Sequence, residues 1–126
     1  MPGYRRRKNR PCQQRQRKGM RLILRPSLLL LLTEKQSHGY EIYDKLETFG
    51  FDLDSLDSSI VYRDLREMEE MGLIESDWDD DSKGPRRRVY KILDPGSICL
   101  AEWMEAFDNI QGQMNQIINR YRINQV

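Results

Sequence analysis

Ser58, Ser59, Tyr62, Arg63 and Arg66 recur at steps of one, three and four, which collects side chains on one face of a helix. Hydroxyls donate or accept, and guanidinium forks donate in pairs. A face of this kind can bond phosphate oxygens or the donor and acceptor edges of bases. A second basic group, Lys83 with Arg86, Arg87 and Arg88, follows further along the chain. The plainer readings are a solvated helical face and, for the arginines, ion pairs with Asp79, Asp80 and Asp81 in the same stretch. No catalytic constellation assembles. His38 is the single histidine, without a metal shell or a nucleophile beside it, and it reads as a turn and capping residue. No Gly-rich phosphate loop follows a strand, and no paired carboxylates close the ends of strands around a cleft. The expectation is therefore no enzyme, no cofactor and no metal. Cys12 and Cys99 lie far apart without a CxxC pair, so both are expected as free thiols.

Helices must position these groups. Pro26 suits the first position of a helix, and the apolar run at 28–32 supplies its buried stripe. Ser37 is the expected N-cap of a second helix, in which Ile42, Tyr43, Leu46 and Phe49 repeat before Gly50 ends it. Asp57 caps a third helix with Val61, Leu65 and Met68 inward, the polar face above outward, and Gly72 as its stop. The period then falls to two over 73–78 and again over 88–92, around a loop of Asp, Ser, Gly and Pro. Three helices and a hairpin give the order of a winged helix-turn-helix, a mainly α fold with a small β-hairpin. From Asp94-Pro95 onward, Leu100, Trp103, Phe107, Ile110, Met114, Ile117 and Tyr121 step by three and four, close to a heptad seam. One helix of about 30 residues spans roughly 45 Å, too long for so small a body to bury, so a second copy is the expected partner. Gly112 and the polar Gln111, Gln113 and Asn115 favour the alternative, in which the stripe packs on its own domain.

The 126 residues carry 21 Lys and Arg against 20 Asp and Glu. The near balance conceals segregation. Residues 1–25 hold ten basic side chains and no acidic one, 26–84 hold sixteen acidic and five basic, and 85–126 hold four acidic and six basic. The expected organisation is a flexible basic arm at 1–25, a winged helix-turn-helix domain at 26–94 and a dimerisation helix at 95–126. A basic block of this density meets a polyanion or folds back on the acidic middle. The longest apolar run has five residues where a bilayer needs roughly 20. No membrane partner is expected, and without a signal-peptide pattern the protein is expected in the cytoplasm.

Three motifs, His38-Gly39-Tyr40-Glu41-Ile42, the stretch at 61–74 reading VYRDLREMEEMGLI, and Gly84-Pro85-Arg86-Arg87-Arg88-Val89-Tyr90, stand in an order and spacing that resemble PadR-family transcriptional regulators. The likeness runs from about Pro26 to Trp103, and the single C-terminal helix resembles the shorter subfamily. It implies a winged-helix homodimer on a two-fold symmetric site in double-stranded DNA, usually a repressor relieved by a small molecule or stress signal. Ser58, Ser59, Tyr62, Arg63 and Arg66 would then line a recognition helix. Lys83, Arg86, Arg87 and Arg88 would form a wing suited to a narrow minor groove, with Arg87 turned opposite to its neighbours by strand alternation. Some relatives take flat apolar compounds at the dimer interface, which implicates Trp103 and Phe107 in binding a small planar effector. Two departures stand out. The wing loop is acidic, and Leu93-Asp94-Pro95-Gly96 replaces the usual threonine before the last helix, so Asp94 is expected to take over the cap. The competing reading is a winged-helix adaptor that binds another protein through its acidic surface.

Overall fold

The computed structural model describes residues 11–79, 84 and 86–125, and side chains from Leu22 onward. The leucine run lies in α1, Pro11–Glu34, so Pro26 sits inside this helix and does not open it. Proline removes the bond to the carbonyl four residues back, at a cost of about 3 kcal/mol. Leu24, Leu28, Leu29 and Leu32 are all at most 3% exposed, and each such burial contributes about 1.5–3 kcal/mol, which outweighs the break. Ser27 Oγ also donates to the Ile23 carbonyl at 2.7 Å, satisfying an acceptor beside the interruption. The change in charge at Arg25 thus falls at no break in the helix, and Leu24 already belongs to the core. Residues 1–10, Lys83 and Asp80 to Ser82 of the wing loop lie outside the described residues.

Ser37 and His38 form a short strand, β1, and His38 rather than Ser37 is the N-cap of α2, Gly39–Lys45. A 3-10 turn, Leu46–Phe49, continues it to Gly50, whose φ of 92° needs a residue without Cβ. The Tyr43 hydroxyl lies 2.9 Å from the carbonyls of both Leu53 and Leu56. This shared bond pins the connection into α3, Ser58–Glu70. Gly72, at φ 79°, turns the chain out of that helix into β2, Ile74–Asp79, which pairs antiparallel with β3, Arg87–Ile92. β1 adds a third strand that the sequence pattern does not announce, pairing Ser37 with Tyr90 and His38 with Val89. The sheet order is β1-β3-β2.

The core joins the α1 leucines to Ile42, Leu46, Phe51, Leu56, the inner stripe of α3, Ile74, Tyr90 and Leu100. The last helix, α4, spans Asp94–Asn124, and its cap is Leu93 rather than Asp94. The Leu93 N–H donates to the Leu73 carbonyl at 3.0 Å, so a tertiary bond sets where the chain turns. Gly96 lies against that same carbonyl. Only Gly96 and Leu100 of α4 are buried, and its distal half carries Ile110, Met114, Ile117 and Tyr121 at 40–69% exposure.

Candidate nucleic-acid interface

The outer face of α3 is set at its first turn. The Asp57 carboxylate accepts from the Ser59 N–H at 3.0 Å, and that backbone bond holds its pKa below the usual aspartate value. With the cap in place and Val61, Leu65 and Met68 at 0% exposure, the 3.6-residue period sends Ser58, Ser59, Tyr62, Arg63 and Arg66 outward, and all five are exposed. Tyr62 is also seated against α2: a Cβ on Gly39 would fall 2.4 Å from Tyr62 Cε1. The glycine of the His-Gly-Tyr motif thus makes room for the ring that it positions.

The arginines behind the wing loop alternate as expected. Arg86 and Arg88 lie over the Trp78 ring, at 5.2 and 4.6 Å from its centroid. Arg87 lies on the other side, 4.9 Å over the Tyr40 ring. Arg88 is further tied to the body, since Nη1 donates to Ser76 Oγ at 2.9 Å. Ser76 in turn donates to the Glu69 carboxylate from its hydroxyl and its N–H. A guanidinium on an aromatic face keeps its edge N–H groups available to an anion while its plane is held.

His38 ties the base of the wing to α2. Its Nδ1 lies 2.8 Å from Glu41 Oε1 and its Nε2 2.8 Å from Asp79 Oδ2, while the ring stacks on Tyr40 at 5.5 Å. The Glu41 bond foremost, then Asp79, raises the imidazole pKa against the opposing effect of burial. The Glu41 carboxyl is held low, chiefly by the His38 backbone N–H. Asp79 therefore engages His38, and of the three loop aspartates expected as partners for the wing arginines it is the one within the described residues. His38, Gly39, Tyr40, Tyr62, Arg87, Arg88 and Tyr90 line an open cleft between α2, α3 and β3.

Sequence reasoning missed Tyr40 and Trp78 as ring platforms, Ser76 as a junction, and the acidic partners of His38. The pairing of Trp78 with Arg88 across the hairpin could have been found by counting register back from Ile74 and Ile92. Along the apolar stripe of α4, Leu100 is buried in the core of its own chain. Trp103 and Phe107 are half-buried with ring centroids 5.6 Å apart, and the residues beyond them are exposed. Among the described residues no His, Cys, Asp and Glu group is arranged to hold a metal, and no helix is long and apolar enough to cross a membrane.

No curated protein matches the chain. Among solved structures, a PadR-like transcriptional regulator from Bacillus cereus is 26% identical with a TM-score of 0.70, and the match covers 80% of this chain and 96% of that one. A PadR family transcription regulator from Clostridium difficile is likewise 26% identical, at a TM-score of 0.66, covering 76% of this chain and 98% of that one. The model of the transcriptional regulator PadR-like family matches residues 28–102. That span takes in α2, α3, the wing and the first turns of α4, which is more than half of the chain and all of the interface above, and the protein belongs to the PadR-like family of transcriptional regulators.

Proposed function

We propose that this regulator is a homodimeric repressor that reads a two-fold symmetric site in double-stranded DNA. The observation that carries the reading is the exposed polar face of α3 standing beside the ring-stacked arginines of β3. Ser58, Ser59, Tyr62, Arg63 and Arg66 enter a major groove, Arg63 at a guanine edge and the hydroxyls at phosphate or base. Arg86, Arg87 and Arg88, with Lys83 in the loop, address the flanking backbone and minor groove. Tyr40 joins them by holding Arg87. A two-fold axis brings Trp103, Phe107, Ile110, Met114, Ile117 and Tyr121 of α4 against the same residues of a second copy, with Leu100 seating the helix on its own domain. The half-buried Trp103 and Phe107 supply a place for a small planar apolar effector, which releases DNA by favouring a different spacing of the two α3 helices. The basic residues before α1's core stretch add salt-sensitive attraction to phosphates.

The test is a duplex enriched from a randomised library by the protein, compared with a shuffled duplex of the same composition. Arg63→Ala should cost about 1–3 kcal/mol on the enriched duplex and little on the shuffled one. Equal affinity of the wild-type protein for both duplexes would turn the reading toward an adaptor that binds protein through its acidic surface.

A further inference from the structure

Asp64 is the only buried charged side chain among the described residues, at 7% exposure. It follows Arg63 on α3 about 100° round the helix, on a flank shared with Glu67 and Met71 at steps of three and four. Arg25 of α1 lies along that flank. Its Nη2 is 3.2 Å from Asp64 Oδ1 and also bonds Glu67 Oε1, and its Nη1 is 3.8 Å from Met71 Sδ. The rest of the inner face of α3 is Val61, Leu65 and Met68, whose apolar contacts are non-directional. They hold the helix down and set its rotation coarsely, as the bonds of Ser76 to Glu69 do at its far end. The charged bonds are directional and short-ranged. Arg25 is itself held in place, because Leu24 before it is 1% exposed, Pro26 after it fixes φ, and α1 packs on α4.

We propose that Arg25 is a positioning residue for DNA reading: it sets the rotation of α3 about its own axis and carries into α3 any shift of α1 against α4. This rests on the reading of α3 as the DNA-facing helix. A site tolerates roughly 0.5 Å and 10–20° of misplacement. A 20° roll of a helix about 10–12 Å across moves a side chain on its outer surface by about 2 Å, enough to carry Arg63 off a base edge. Although Arg25 belongs by charge to the basic arm, its guanidinium faces two carboxylates of the body.

The experiment uses the full chain and the enriched and shuffled duplexes across a salt series. It compares wild type, Arg25→Lys, the neutral double variant Arg25→Gln with Asp64→Asn, and Arg63→Ala. The neutral pair avoids stranding the Asp64 charge, which removing Arg25 alone would do, and thermal unfolding monitors the fold of each protein. The expected result is a decline of about tenfold in affinity for the enriched duplex in the neutral pair, comparable with the removal of one base-edge bond. Affinity for the shuffled duplex and the salt slope should be unchanged, with partial recovery in Arg25→Lys. Wild-type discrimination in the neutral pair overturns the proposal. So does an equal decline on both duplexes with a slope shallower by about 0.9, which would mean that Arg25 binds phosphate. If the neutral pair does not fold, Arg25→Lys decides: reduced discrimination in a folded protein supports the proposal, and full discrimination overturns it. Arg63→Ala separates the two levels. An unaffected Arg63→Ala removes the reading of α3 itself, whereas a defective one beside normal Arg25 variants removes only the role of Arg25.

Discussion

An alanine at Gly39 and an alanine at Gly96 should have opposite consequences. At Gly39 the new Cβ meets Tyr62 Cε1 at 2.4 Å and Cδ1 and Cζ at 3.3 Å, against a comfortable carbon separation of about 3.5–4.0 Å. The obstacle is the end of a side chain that is 40% exposed, so the ring can swing outward. An off-rotamer χ costs about 0.5–1.5 kcal/mol, and the better helix propensity of alanine returns about 0.5–1 kcal/mol. Net stability should change by less than about 1 kcal/mol, while Tyr62 leaves the place from which it is proposed to face DNA. At Gly96 the Cβ falls 2.2 Å from the Leu73 carbonyl oxygen and 2.8 Å from Ile92 Cγ1, and the first of these is backbone. That carbonyl already accepts the Leu93 N–H, so α4 must lift away. Overpacking of about 1–3 kcal/mol and a weakened bond of about 0.5–1.5 kcal/mol, less the same propensity gain, give a loss of roughly 1–3 kcal/mol. Thermal unfolding, at about 3–6 °C per kcal/mol for a chain of this size, separates the two variants. Binding to the enriched and shuffled duplexes then shows whether Gly39→Ala has lost discrimination. A Gly39→Ala protein that unfolds as early as Gly96→Ala, or that folds normally and discriminates like wild type, would show that Gly39 does not place Tyr62 for binding.

Met114→Lys places two like charges in the proposed seam, so sedimentation should show monomer or unfolded protein; a stable dimer would mean that the apolar stripe packs elsewhere. His38 has a folded pKa raised above its ordinary 6.5, so its clamp on Glu41 and Asp79 is complete below that value and is lost as pH rises through the folded one. The Glu41 contribution runs the other way, disappearing only as pH falls through its lowered folded pKa. Urea midpoints should therefore decline from pH 6.5 upward in wild type, and an equal decline in His38→Gln would refute the clamp. Starting the chain at Arg21 should lower the log-log salt slope by about 0.9 for each phosphate that the basic segment neutralises and leave discrimination intact, whereas equal slopes would show that segment folded onto the acidic middle.

What can be read from the sequence divides along the distance over which each feature is determined. The polar face of α3 follows from its own period and from Asp57, a cap acting on a neighbour two residues away. The opposed directions of Arg87 and its neighbours follow from strand alternation alone. Three misplacements share another cause. Local rules alone put the start of α1 at Pro26, the cap of α2 at Ser37 and the cap of α4 at Asp94. Each is decided instead by residues distant in sequence: the core of Ile42, Leu65 and Leu100 that buries the leucines around Pro26, the pairing of Ser37 with Tyr90, and the bond from Leu93 to Leu73.

The Arg25 and Asp64 pair shows the same limit most sharply. The two residues are 39 positions apart, and by composition Arg25 is one more charge in a basic block while Asp64 is one more carboxylate on an acidic helix. Both charge counts are correct, and neither predicts that the two side chains meet on the flank of α3 beside the face proposed to touch DNA. The groups proposed to touch DNA are therefore specified locally, whereas the groups that aim them depend on how α1, α3 and the sheet come together. Substitution of an aiming residue should then alter discrimination between sequences before it alters attraction to phosphate, because Coulomb attraction tolerates a rotated helix and a hydrogen bond to a base edge does not.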